Sequence, residues 1–148
     1  MILVSACLCG INCKYNGGNN LNSKILELYN KGKLIPICPE QLGGLPTPRA
    51  PREIINGNGL DVLEGKAKIL DKDKKIDNTK EFIRGAQNAL KISKALNIKK
   101  AILKQRSPSC GFGQIYDGSF SGRIIKGNGV TAELLHRNGI QILTEEDF

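Results

Sequence analysis

The sequence of 148 residues has no tryptophan, one histidine and an aromatic content of only 5%. So few aromatic residues argue against the base-stacking platforms with which many proteins bind single-stranded nucleic acid. The single histidine, His136, excludes metal sites built from several histidines. Chemistry in this chain must therefore come from other residue types.

Long apolar runs are also absent. No stretch approaches the ~18 residues that a membrane helix needs, so we expect no membrane association. Residues 1–7 carry no basic segment, and their apolar stretch is too short for a secretory signal. A length of 148 residues is typical of one domain. We expect a single cytoplasmic domain over residues 1–148.

Negative charge is scarce in one region. Residues 66–106 contain thirteen of the 22 Lys and Arg residues but only four of the 14 acidic residues. Such a surface is either a solvated lysine-rich face or a site for anions, including nucleic acid. The lysines flank a helical pattern and have no aromatic neighbours, which favours the solvated face.

Apolar periodicity predicts alternating strands and helices. Short buried runs predict strands at Ile2–Ser5, Leu34–Ile37, 101–103 and 140–143, and helical spacing predicts helices over 21–31, 78–96 and Val130–Arg137. This order is typical of an α/β protein with a Rossmann-like, open, mostly parallel sheet flanked by helices. Long loops rich in glycine and proline would follow the carboxyl ends of the strands.

The connecting segments give weaker signals. Residues 39–60 contain many Pro and Gly residues and predict one long loop, and 62–70 predicts a small hairpin. A second hairpin is expected to turn at Asp117 and Gly118 within the loop 107–122. Asn78 and Glu81 have the spacing of a helix N-cap.

The chain has five cysteines, and an odd number without an export signal indicates reduced thiols. Cys7 and Cys38 lie just past the ends of the first two predicted strands, and Cys110 lies in the loop after the third. Ligands gather outside the carboxyl ends of parallel strands. We therefore expect these three thiols to meet at one edge of the sheet.

Three converging thiolates would form a soft ligand set, suited to zinc, copper(I) or an iron–sulfur cluster. A structural zinc site closes with four ligands, whereas a reactive centre keeps one position open. Cys9 and Cys13 lack the spacing of a zinc knuckle, and we interpret them as ordinary small residues.

Other polar residues share these loops. Glu40 can act as a general base beside a metal, or it can pair with Arg49 or Arg52. Ser107 and Ser109 lie on either side of a proline just before the last cysteine. They are candidates for substrate contacts, although serines in such loops usually hydrogen-bond within turns.

Several separated motifs resemble the thiouracil desulfidase family, in the family's order, over about residues 3–143. They are residues 5–17 (SACLCGINCKYNG), 38–40 (CPE), 43–53 (GGLPTPRAPRE), 107–111 (SPSCG) and 129–132 (GVTA). The resemblance implies a [4Fe–4S] cluster held by Cys7, Cys38 and Cys110, with one iron not bound by protein. Cys13 matches a frequent cysteine that is not a ligand, and Cys9 stands where relatives often carry an apolar residue.

The implied reaction is non-redox desulfuration of a small thiolated pyrimidine of the 2-thiouracil type. The C=S group becomes C=O and sulfide is released. Glu40 is the candidate base, and Ser107 or Ser109 would orient the substrate or relay a proton. Two alternatives remain: a desulfidase acting on thiolated tRNA nucleosides, and a zinc- or cluster-binding module without activity.

Overall fold

A computed structural model describes all residues from 1 to 148. In chain order its strands are β1 (Ile2–Ser5), β2 (Leu34–Ile37), β3 (Arg52–Ile55), β4 (Lys68–Asp71), β5 (Lys100–Leu103), β6 (Gln114–Tyr116), β7 (Ile124–Lys126) and β8 (Gln141–Thr144). Its helices are α1 (Ser23–Asn30), α2 (Pro39–Leu42), α3 (Gly59–Leu63), α4 (Thr79–Ala95) and α5 (Val130–Arg137). Short 3₁₀ turns follow β1 at Ala6–Cys9 and β8 at Glu145–Asp147.

A four-stranded parallel sheet forms the centre of the molecule, in the order β2-β1-β5-β8. Its strands coincide, within one residue at each end, with the four apolar runs of the sequence. Leu3 packs on one face with Ala89 of α4 and Leu135 of α5, and Val4 packs on the other face with Ile25 of α1. Because both faces are covered by helices, the middle residues of each strand are apolar. The predicted α/β fold class is confirmed.

The three long helices lie where helical periodicity predicts them. Helix α1 begins at Ser23 because the Asn22 side chain accepts hydrogen bonds from the amides of Lys24 and Ile25. Asn78 occupies the N-cap position of α4, as predicted, but the expected cap hydrogen bond is absent. The Asn78 side chain makes no cap bond and instead accepts a hydrogen bond from Nε of Arg52, at 2.7 Å.

The predictions for residues 39–60 and 62–70 are wrong. The first region is not one loop, because α2, β3 and the start of α3 lie within it. The second is not a hairpin, because β4 pairs antiparallel with β3, which lies before α3. Asn58 and Asp61 form a reciprocal capping box that starts α3. Long-range pairing of two four-residue strands therefore overrides the local signals.

The second predicted hairpin exists, but its connection is longer than expected. Strands β6 and β7 pair antiparallel, and residues 117–123 connect them rather than a two-residue turn at Asp117 and Gly118. We call residues 117–123 the hairpin loop. No helix of the structure is long and apolar enough to cross a membrane.

Candidate functional site

A cavity of about 580 Å³ lies at the carboxyl edge of the parallel sheet. Three elements bring the sequence-predicted thiols to it. Cys7 lies in the 3₁₀ turn after β1, Cys38 is the residue before α2, and Cys110 lies in the loop after β5. All three line the cavity, so the parallel strand order brings together residues that are far apart in sequence.

Cys13 also lines the cavity, which the sequence reasoning did not find. Its carbonyl oxygen lies 3.8 Å from Sγ of Cys38, and its thiol interacts with those of Cys7 and Cys38. The interaction with Cys13 lowers the pKa of Cys38 to about 6 and also lowers that of Cys7. Hydrogen bonds with the thiols of Cys38 and Cys7 raise the pKa of Cys13 well above the usual range. The backbone turn 10–14, which returns this residue to the site, has no simple sequence signal.

The remaining cysteines have buried thiols. Cys9 is absent from the cavity lining, and burial raises its pKa to about 11. Burial also raises the pKa of Cys110 above the usual range, although the thiol faces the hydroxyl of Ser5. A buried thiolate at Cys110 thus requires a compensating positive centre.

The loop that carries Cys110 is held from two sides. Gln105 accepts hydrogen bonds from the amides of Arg106 and Phe112 and donates one to the carbonyl of Phe112. Gly129, at the start of α5, packs so closely that a Cβ there would lie 2.5 Å from the carbonyl of Ser109. The first amides of α5 bond to carbonyls of residues 108–111, so they are not available to bind an anion.

Glu40 lines the cavity and forms an ion pair with Arg49, with Oε1 and Nε 2.9 Å apart. This is the structural pairing that the sequence offered as an alternative to a catalytic role. Arg49 is only 5% exposed and also donates to the carbonyl of Cys13, at 2.8 Å, while its Nη2 lies 3.9 Å from Sγ of Cys38. Arg49 thus ties the carboxylate to the thiol cluster.

The two candidate serines occupy different environments. Ser107 lines the cavity, and its Oγ accepts hydrogen bonds from the amides of Ser109 and Cys110, at 3.1 and 2.9 Å. Ser109 is buried outside the cavity lining, with its Oγ 2.8 Å from the hydroxyl of Thr131. Only Ser107 is therefore placed to reach a molecule in the cavity.

The donor set fits an iron–sulfur cluster. It consists of thiols without histidine, and the nearby carboxylate of Glu40 is already paired with Arg49. No group of three or more His, Cys, Asp or Glu side chains is arranged to hold a single metal ion. A four-iron cube presents its irons at separate corners, so its thiolates stand further apart than the ligands of one ion. The buried thiol of Cys110 would gain the positive centre that it lacks.

The fold and the cavity define an α/β protein with a thiol-lined site at the carboxyl edge of its sheet. The sequence model of the 2-thiouracil desulfurase family matches residues 2–147. This chain belongs to that family, which confirms the resemblance found in the sequence.

Two individual proteins are also similar to it. An uncharacterized protein of Bacillus subtilis (strain 168), YbbK, is 48% identical over 148 residues, which cover all of this chain and 97% of YbbK. The solved structure of the [4Fe-4S]-dependent thiouracil desulfidase TudS matches with a TM-score of 0.86 and 39% identity. That match covers 99% of this chain and 91% of TudS.

Proposed function

We propose that this protein is a [4Fe–4S]-dependent desulfidase of small thiolated pyrimidines of the 2-thiouracil type. The observation that carries the proposal is one cavity in which three thiols from three strand ends meet, beside Cys13, together with Glu40 and Ser107. Its volume of about 580 Å³ suits a small molecule beside a cluster. Membership of the family and the likeness to TudS support the same activity.

Cys7, Cys38 and Cys110 would hold the cluster in this proposal. Lowered pKa values favour the thiolate form at Cys7 and Cys38, which is the form that binds iron. When bound through three thiolates, the cluster supplies an iron without a protein ligand, which acts as a Lewis acid toward the thiocarbonyl sulfur. Cys9 and Cys13 are not ligands.

Glu40 serves as the general base that activates water. Its Oε1 is held by Arg49, and its Oε2 makes no hydrogen bond to the protein. Oε2 is therefore free to take a proton from a water molecule that attacks the thiocarbonyl carbon. Over the whole reaction, C=S and water give C=O and hydrogen sulfide, so no electron donor is required.

Ser107 orients the substrate. The two amides that donate to its Oγ occupy the acceptor positions of the hydroxyl, which leaves the hydroxyl hydrogen to donate. A carbonyl oxygen or unprotonated nitrogen of a pyrimidine ring is a suitable acceptor. Ser109 contributes indirectly, because its carbonyl accepts from the amides of Thr131 and Ala132 and so fixes the loop.

The test is an anaerobic assay of sulfide and uracil formation from 2-thiouracil by protein reconstituted with iron and sulfide. We expect the two products in equal amounts. Glu40→Gln should keep the iron and lose turnover by about 10²-fold or more. Glu27→Gln on α1, outside the cavity lining, is the matched control and should keep full activity.

One outcome would change the mechanism, and another would overturn the proposed function. Full turnover in Glu40→Gln would remove Glu40 from the mechanism. Activity on thiolated tRNA that falls steeply with salt, without activity on free 2-thiouracil, would identify a tRNA desulfidase instead.

A further inference from the structure

The hairpin loop, residues 117–123, forms one wall of the cavity and has no role in the mechanism above. Phe120 and Gly122 of this loop line the cavity, as does Tyr116 at the end of β6. The chain contains only seven Phe and Tyr residues. Aromatic side chains at a cavity wall are well suited to contact a planar ring.

The backbone of Phe120 has an unusual conformation. Its φ is +57°, in the left-handed region that bulky residues rarely adopt. Such conformations persist only where the surrounding structure holds them in place, and they cluster at functional sites. Phe120 therefore requires neighbouring contacts that hold its backbone in this conformation.

Glu53 of β3 provides the restraint. Its Oε1 accepts hydrogen bonds from the amide of Gly118, at 2.9 Å, and from the amide of Phe120, at 3.2 Å. Its side chain is nearly buried, with the residue 9% exposed. A carboxylate that accepts two amide hydrogen bonds is a strong anchor in such surroundings.

A close backbone contact fixes the same loop against β3. Gly118 has a φ of +91°, and a Cβ at this position would lie 2.6 Å from the carbonyl oxygen of Ile54. Only glycine allows this approach. Two independent restraints thus hold Phe120 at the cavity wall.

We propose that Phe120 is a specificity-determining residue that packs against the pyrimidine ring, and that Glu53 is a positioning residue that acts through Phe120. This inference rests on the proposed function, because the ring is that of the thiolated pyrimidine. Ring contact contributes to substrate binding and not to the chemical step. Phe120 therefore selects planar conjugated rings over saturated, puckered cyclic thioureas of similar size.

The first experiment compares Phe120→Leu and Phe120→Tyr with wild type in the anaerobic assay. Leu keeps an apolar side chain but loses the ring, so KM for 2-thiouracil should rise about fivefold while kcat stays within about twofold. Phe120→Tyr should restore the KM of wild type. Phe148→Leu, an aromatic substitution outside the cavity lining, should change neither constant.

The second experiment tests Glu53. Glu53→Ala should raise KM as Phe120→Leu does, and the double variant should be no worse than either single variant, because both lose the same contact. Glu53→Gln retains an acceptor oxygen and should recover most of the loss. Additive effects would show that Glu53 contacts the substrate directly and would overturn its positioning role.

Calorimetric titration of each reconstituted protein with 2-thiouracil separates the two proposals. Wild type that binds 2-thiouracil but releases no sulfide would contradict the proposed function and leave the binding role of Phe120 to be judged from its variants. Wild-type turnover with an unchanged Kd and KM in Phe120→Leu would contradict the role of Phe120 alone. Wild type that neither binds nor turns over 2-thiouracil would contradict both.

Discussion

The candidate site is built from two regions of different construction, which we call the floor and the wall. The floor consists of the turns after β1, β2 and β5, and it carries Cys7, Cys38 and Cys110. The wall consists of the two antiparallel pairs, β3 with β4 and β6 with β7, and it carries Glu53 and Phe120. Buried parallel strands fix the floor, whereas side-chain and backbone hydrogen bonds across distant segments fix the wall.

This difference implies a division of labour. Substitution of a cysteine in the floor should prevent cofactor binding, because the floor carries the proposed ligands. Substitutions in the wall should leave cofactor binding unchanged and alter substrate binding or the stability of the fold. Four substitutions test this division.

The largest effect is expected from Cys38→Ala in the floor. Removing one of three thiolate ligands should reduce the iron bound after anaerobic reconstitution from about four atoms per chain to almost none. Cys9→Ala is the matched control, because Cys9 is buried outside the cavity lining, and it should retain the iron of wild type. Iron analysis and the visible absorbance of the cluster measure both. Iron loss in Cys9→Ala but not in Cys38→Ala would show that Cys9, and not Cys38, is a ligand.

Arg49 ties Glu40 and the Cys13 carbonyl to the thiols of the floor, so Arg49→Leu should have the next largest effect. The substitution leaves Glu40, which is 17% exposed, without its partner and removes the donor to the Cys13 carbonyl. We expect the free energy of unfolding to fall by about 3 kcal/mol, as for other broken pairs that are largely buried. Urea denaturation measures this loss, and Arg49→Lys should recover part of it. A loss of unfolding free energy no larger than that for an exposed ion pair would contradict the structural role of Arg49.

Gly118→Ala tests the close contact within the wall. The substitution introduces both a strained φ and a clash with the carbonyl of Ile54, so the stability loss should reach about 2 kcal/mol. Gly122→Ala is the matched control in the same loop. Gly122 also has a positive φ but has no atom within 4 Å of an added Cβ, so its loss should be about half as large. Equal losses would show that the contact contributes nothing.

The smallest effect is the pH dependence of stability that Glu53 contributes. Burial raises the pKa of this carboxyl above its ordinary value of 4.5, despite the two amide donors. The folded state therefore binds the proton more tightly than the unfolded state, and wild type loses stability as pH rises from 4.5 through the folded pKa. Glu53→Gln lacks this titration, so its stability relative to wild type should be higher at about pH 8 than at about pH 5. The same difference at both pH values would contradict the raised pKa.

The floor was predictable from the sequence for a physical reason. Short apolar runs predict the first two strands, and Cys38 follows its strand directly while Cys7 follows its strand after Ala6. Parallel strands then place their carboxyl ends together without further information. Cys110 lies further along, in the loop that leaves the carboxyl end of β5.

The wall was not predictable, because its interactions join residues far apart in sequence. Strands β3 and β4 are too short to show a clear alternation, and α3 lies between them. Glu53 reaches 65 residues along the chain to the amide of Gly118. Asn78 has the spacing of a helix cap, but its side chain accepts a hydrogen bond from Arg52 instead. Cys13 joins the site through a backbone turn that leaves no periodic pattern.

The most direct test of the account is the iron content of Cys13→Ala after anaerobic reconstitution. The thiol of Cys13 interacts with those of Cys7 and Cys38, so this cysteine is the strongest competitor for a place among the ligands. We expect about four irons per chain in this variant, as in wild type, because Cys7, Cys38 and Cys110 would hold the cluster. Loss of iron from Cys13→Ala in the folded protein would show that a fourth thiolate closes the centre and would contradict the account.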